Sequence, residues 1–499
     1  MIALNSIVST FNPDDQQKFI TYLQSKNKRK DTKNIQLFKF LIKEELSSKD
    51  ICKQLYNVVQ CNAYHALRKR LFQSIIDFIA NNNLEDENSI DMQIIKYILA
   101  SRTFLLQKNY DVAYKILDKA EKLADENSLF PILNEIYHTK IQYAPYYPKI
   151  ELKDLINKQQ ENQKKHQLED QLNIVYAKLT SLLNAISYKG EIIDFESELR
   201  IILNAHNIEL QDSLSFKSLY QILAIANISA LITTKYYQIE RFVLKSYSIL
   251  KQKKETEKQL FYQIQIVYLI ANTLFRNKRF EKSLNYIQEM QELMLLKKGI
   301  YLKDFILKKT LLEALNLNYN NQQQKAIDLI EIAISNKHRD IEALLDLHLS
   351  LLMFYFQKED FTVAKSVLSK FYHTDQWYIE KAGIDWVIKK NVAEILLYIE
   401  IREEDLLYSR LKSFRRRYKK YLTEIKQTRI FTFLNFAEQY YKNPEGFSTD
   451  ITRNKIENAF TWTTVHKEDI FVMSSYAWLK SKIDKSKLYS TTLELIKKA

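Results

Sequence analysis

Apolar residues recur at three- and four-residue steps along most of this 499-residue chain. Between 93 and 122, Ile94, Ile95, Ile98, Leu99 and Leu105 fall on one helical face. The pattern pauses at Lys108 and Asn109, then resumes with Tyr110, Ala113, Ile116, Leu117 and Ala120. Two amphipathic stretches joined by so short a polar break predict an antiparallel helical hairpin. Comparable pairs are predicted at 264–293, 307–335 and 345–371.

Composition sharpens this picture. The chain holds 4 glycines and 5 prolines, whereas an average chain is about 7% Gly and about 5% Pro. So few turn residues argue against hairpin-rich sheets and predict an all-α protein with essentially no sheet. The breaks are correspondingly few. The polar run 81–88 reads as a loop between an N-terminal segment, 1–80, and a helical array, 90–442. Pro145 and Pro148 stop a helix after Ala144. Asn443, Pro444, Glu445 and Gly446 form a turn ahead of a C-terminal helical cap, 450–499, with Asp450 as a helix cap.

Small residues mark the second helix of each pair. Tyr97, Ala100, Ser101 and Phe104 are followed by Ala113, Leu117 and Ala120. The same order returns as Ile270, Ala271, Leu274, Phe280, Ser283, Ile287 and Met290, and as Ala314, Leu317, Ala326, Ile330 and Ala333. It returns again as Tyr355, Phe361, Ala364, Leu368 and Phe371. This pattern resembles the tetratricopeptide repeat, with Trp absent from its first position, Ser or Ala in place of its Gly, and the terminal Pro missing. The anchors Ser283, Ala326 and Ala364 are 43 and 38 residues apart, longer than the 34 of that family. The resemblance implies a right-handed superhelical solenoid of antiparallel hairpins that binds protein or peptide segments in a groove.

Charge is concentrated. Residues 1–80 carry 13 Lys/Arg against 7 Asp/Glu, and residues 410–429 carry 9 against Glu424 alone, which accounts for the net +14. In the second segment Leu411, Phe414, Tyr418, Tyr421 and Ile425 form an apolar stripe. Arg410, Lys412, Arg415, Arg416, Arg417, Lys419 and Lys420 read as a solvated face or as a patch for an acidic partner, with Arg415, Arg416, Arg417, Lys419 and Lys420 expected to be exposed. In the first segment Lys28, Arg29 and Lys30 precede a helix near 35–45. A short helix from Ser48 and a second from Asn62, bearing Arg68, Lys69 and Arg70, resemble a helix-turn-helix whose second helix enters a DNA groove. The connection from Tyr56 to Cys61 is long for that motif and has no glycine. The other reading is a cap, in which Leu67, Leu71, Ile75 and Phe78 pack on the hairpin that begins near Gln93.

Several chemistries are excluded. Gly190, Gly299, Gly383 and Gly446 lie at least 63 residues apart, so no glycine-rich phosphate loop or dinucleotide fingerprint exists. The eight histidines make no H-E-x-x-H pair, and Cys52 and Cys61 fit no zinc or redox spacing. The start of the chain lacks the apolar run of a signal peptide, and the strongest apolar stretch, 344–356, is broken by Asp346 and His348. The sequence thus reads as a cytoplasmic, non-enzymatic, protein-binding scaffold or regulator without cofactor or metal and without a membrane partner. A nucleic-acid-associated regulator is the alternative.

Overall fold

A computed structural model describes residues 4–8, 11, 13–26, 33–43, 47–58, 62–86, 90–189, 197–198, 201–202, 205, 215–233, 236–251, 259–336, 338, 340–425, 427–460 and 470–497. Among these residues there are helices and turns and no strand, so the chain is all-α. No described helix is long and apolar enough to cross a membrane. The chain divides into two compact units, Met1–Gln163 and Lys164–Ala499, rather than at the polar run 81–88. That run is helical as far as Asp86, within Asn62–Asp86. With neither Gly nor Pro among Asn81, Asn82, Asn83, Leu84, Glu85 and Asp86, polarity alone does not end a helix. Glu87 and Asn88 lie outside the described residues.

The first unit contains three cores among its described residues, the smallest of them Leu105, Ala113 and Tyr114. Leu4–Val8, Pro13–Ser25, Lys33–Lys43, Ser48–Tyr56 and Asn62–Asp86 close on Phe11, Phe19, Phe38, Leu67, Leu71, Ile75 and Phe78. The expected helix at 35–45 therefore begins at Lys33, and residues 44–45 are outside the described set. Ile90–Leu106 pairs with Tyr110–Glu126, and Phe130–Tyr143 packs beside them on a separate core of Ile94, Ile98, Leu117, Ala120 and Leu133. Phe130–Tyr143 gives way at Pro145 to a single 3-10 turn, since proline has no N–H for the helical ladder.

In the second unit, successive helices again pack as pairs: Leu260–Arg276 with Phe280–Leu295, Leu302–Tyr319 with Gln323–Ser335, Ile341–Gln357 with Phe361–Leu368, and Ile384–Glu400 with Glu404–Glu424. Leu302–Tyr319 also packs on Ile341–Gln357, so burial continues from pair to pair. The small anchors Ala113, Ser283, Ala326 and Ala364 are fully buried at the turns of their pairs. Ser283 shows what that position requires, because its hydroxyl donates to the Ala271 carbonyl across the pair at 2.8 Å. A larger side chain there would separate the helices.

The turns explain how a chain with so little glycine folds this way. Lys108, Lys278, Asn321, Glu359 and Arg402 each adopt a left-handed backbone, with φ between 58° and 63°. The next amide donates back five residues, as in Arg279 to Leu274 (2.8 Å), Gln322 to Leu317 (2.9 Å) and Asp360 to Tyr355 (3.0 Å). These bonds satisfy carbonyls that the helix end leaves open, in the geometry that glycine usually supplies. Lys108 carries a Cβ penalty of about 1–2 kcal/mol in that conformation, whereas asparagine tolerates it. Lys108→Gly should therefore stabilise the first unit by about 0.5–1 kcal/mol after glycine's larger unfolded-state entropy is deducted. Asn321→Gly should leave stability nearly unchanged. Urea midpoints of the two variants check this, and equal shifts would contradict the strain argument.

The C-terminal helices Ile470–Asp484 and Leu488–Lys497 bond to several of these pairs. The Tyr489 hydroxyl donates to the Asn318 carbonyl at 2.6 Å, the Leu488 amide to Glu359 Oε1 at 3.0 Å, and Trp478 Nε1 to Glu400 Oε1 at 2.6 Å. Asp450 begins Asp450–Ala459, but its expected capping role falls to Thr449, whose hydroxyl accepts from the Thr452 amide.

Candidate functional site

Glu404–Glu424 carries the densest positive charge of the described residues. Its Leu407, Leu411, Phe414, Tyr418, Tyr421 and Leu422 are buried, as the three- and four-residue spacing requires. Ile425, the last apolar position expected in the stripe, is half-buried just past the helix end.

The seven basic residues of this segment do not share one environment. Arg410 and Arg417, seven positions apart, lie on one flank of the helix. Arg410 Nη2 meets Glu394 Oε1 at 2.7 Å, and Arg417 Nη1 meets Asp375 Oδ2 at 3.3 Å. On the other flank Arg415 Nη2 donates to Glu438 Oε2 at 2.8 Å and Asn435 Oδ1 at 2.9 Å. Arg415, expected to be exposed, is thus half-buried, as is Arg410, and Arg417 is exposed yet engaged. The reason is geometric. Residues at the edges of an apolar stripe face the neighbouring helices, and here those helices offer carboxylates.

Lys412, Arg416, Lys419 and Lys420 project from the side opposite the buried stripe and are exposed. None of them makes an ion pair with another described side chain. At 1.5 Å rise per residue they span about 12 Å along one helix.

The inner flank is a buried charge network. Asp375 opens Asp375–Ala382, and the side chain of Thr374 caps that helix. Gly383, at φ 85° and ψ 165°, reverses the chain into Ile384–Glu400 in a region essentially restricted to glycine. This places Lys390 Nζ 3.5 Å from Asp375 Oδ1 and 3.1 Å from Glu394 Oε2, all three side chains being buried. Asn391 Nδ2 and the Tyr418 hydroxyl donate to Asp375 Oδ2 at 3.3 and 3.4 Å, and the Tyr398 hydroxyl donates to Glu394 Oε1 at 2.9 Å. Burial first, and the Asp375 carboxylate second, push the Tyr418 phenol up to about 12. On the outer flank burial opposes ionisation of Glu438, but hydrogen bonds from Lys442 and Arg415 outweigh it and hold that carboxyl below its usual range. Three cations thus face Asp375 and Glu394 on one flank, and two face Glu438 on the other. The helix is fixed from both sides while its outer face stays free.

Sequence reasoning misses Asp375, Lys390, Glu394 and Glu438, because nothing in their local spacing distinguishes them from solvated helix charges. The buried lysine at 390 carries the one available signal: it sits four residues before Glu394, within a run that is otherwise apolar at Val387, Ile388, Val392, Ala393 and Ile395.

In the first unit Lys28, Arg29 and Lys30 lie outside the described residues. Lys69 and Arg70 are exposed on Asn62–Asp86, and Arg68 is half-buried, with Nη1 3.2 Å from the Ser48 hydroxyl and its guanidinium 5.7 Å from the centre of the Tyr64 ring. Leu67, Leu71, Ile75 and Phe78 belong to the core of residues 4–78 and not to the core of the hairpin near Gln93, so they are consumed within their own module. Cys52 is a buried thiol in that module, and Cys61 lies outside the described residues. Among the described residues no group of three His, Cys, Asp or Glu side chains could hold a metal ion. No family model, curated protein or solved structure matches the chain.

Proposed function

We propose that the second unit is a non-catalytic docking scaffold of tetratricopeptide-like hairpins stacked as a superhelical solenoid. Its helix Glu404–Glu424 receives an acidic segment of a protein partner. The observation that carries this reading is the free outer face of Lys412, Arg416, Lys419 and Lys420 on a helix whose flanking arginines are already neutralised. A rigid presentation lowers the ordering cost of binding, and cations in no ion pair with a described side chain leave their charge for a partner. The recurrent left-handed turn followed by a buried small residue supports the repeat reading.

A fluorescein-labelled peptide with glutamates at three- and four-residue steps tests the face by anisotropy at low salt. Reversing all four residues to Glu should weaken binding by about thirtyfold or more, from about 0.5 kcal/mol for each exposed pair. Reversing the exposed Lys119, Lys122, Lys303 and Lys308 instead, an equal change in net charge, should have a much smaller effect. Equal losses in the two variants would reduce the face to bulk electrostatics.

A further inference from the structure

We infer that Ser48–Tyr56 and Asn62–Asp86 form a reader of duplex DNA, with the first three turns of Asn62–Asp86 placed in the major groove. The first support is that the module is complete. Its core is confined to residues 4–78 and held by edge-on aromatic contacts, with Phe19 4.7 Å from Phe38 and 5.1 Å from Phe78 between ring centres. The apolar side of Asn62–Asp86 is spent on that core, so its opposite side is a free surface.

The second support is the turn. A helix-turn-helix needs a sharp exit from its first helix, usually through glycine. Asn57 provides it, at φ 58° and ψ 19°, with its amide donating to the Lys53 carbonyl at 2.8 Å. Across the turn Arg68 bonds the Ser48 hydroxyl and the Tyr56 hydroxyl donates to the Ala63 carbonyl at 3.3 Å, so the two helices keep a fixed relation. Arg68 is therefore a positioning residue, unlike Lys69 and Arg70.

The third support is the chemistry of the exposed face. Asn62, Ala66, Lys69 and Gln73 recur at four-, three- and four-residue steps along one stripe, flanked by His65 and Arg70, and all are exposed. Asn and Gln pair with adenine edges, Lys and Arg with guanine, and alanine lets the backbone approach the bases. Lys49 and Lys53 add exposed positive charge on the preceding helix. The neighbouring carboxylates are engaged: Asp50 accepts from the Ser47 hydroxyl at 2.5 Å, and Asp77 accepts from Lys26 at 3.2 Å and Gln73 at 3.0 Å. A cationic face with adaptable donors and acceptors and small residues complements a groove lined by phosphates and base edges. An acidic protein surface would need the charge but not the Asn–Ala–Gln stripe.

The test is anisotropy of the full-length protein with a labelled random duplex of about 30 bp at about 50 and about 200 mM salt. Binding at about 1 µM or tighter at the lower salt is expected, falling steeply at the higher. Lys69→Glu with Arg70→Glu should weaken it about tenfold or more and reduce the log–log salt slope by about 2. Asn62→Ala should keep that salt slope but relax the base preference at one position when bound duplexes are selected from a random library. Circular dichroism and an unchanged thermal midpoint show that each variant is folded. Absence of duplex binding, indifference to the Lys69 and Arg70 reversals, or tighter binding of single-stranded RNA would overturn the inference. So would equal loss when Lys412, Arg416, Lys419 and Lys420 are reversed instead, since that would move the contact to the other unit.

Discussion

Glu394→Leu should destabilise the second unit by about 3–5 kcal/mol, because it strands a buried cation. Lys390 is about as enclosed as Glu394, with side-chain exposures of 4% and 5%. Without Glu394 the ammonium keeps Asp375 as its one carboxylate, at the longer distance of 3.5 Å, and Asp375 is shared with Arg417, Asn391 and Tyr418. Arg410 suffers less, since its side chain is partly exposed and can turn to water. The double variant Lys390→Met with Glu394→Leu removes the buried pair together and should recover most of the loss, as replacement of such pairs by apolar groups is often neutral or better. Urea denaturation measures both. A single variant costing under about 1 kcal/mol, or a double variant worse than the single, would show that the network is hydrated rather than buried.

The helices and their buried faces were legible because they depend on residues close in sequence. Leu411, Phe414 and Tyr418 point inward for the reason their spacing implies, and Ala113 and Ala326 are fully enclosed for the same reason. The fate of the charges was not legible. Arg410, Arg415 and Arg417 find their partners 16, 23 and 42 residues away, on helices whose rotation about their axes is set by packing. A basic run looks the same in sequence whether its flanks meet carboxylates or water. The scarcity of glycine misleads in a different way. It correctly argues against sheets, yet tight turns are present, since Lys, Asn, Glu and Arg occupy left-handed positions that helix packing on both sides enforces. In the first module the missing glycine counts against a helix-turn-helix, and Asn57 answers that objection.

Trp478→Ala is the second large expectation, at about 3–5 kcal/mol for loss of a buried indole. The ring is 1% exposed and packs edge-on against Phe433 and Tyr440, with centres 6.0 and 5.6 Å away. Its N–H and the Lys482 ammonium, 2.6 Å from the same oxygen, both serve Glu400, the last residue of Ile384–Glu400. Removing the indole leaves a cavity and one donor fewer at that carboxylate. Trp478→Phe separates the two effects: it keeps most of the volume, leaves Glu400 with Lys482, and should cost about 1–2 kcal/mol. If Ile470–Asp484 were a loosely attached end cap, Trp478→Ala would instead release the C-terminal helices alone. Early proteolysis after residue 460, with the main urea transition unmoved, would reveal that outcome. The bonds to Asn318, Glu359 and Glu400, on three different helix pairs, argue for the first result: a single cooperative loss in which both the later pairs and the C-terminal helices melt together.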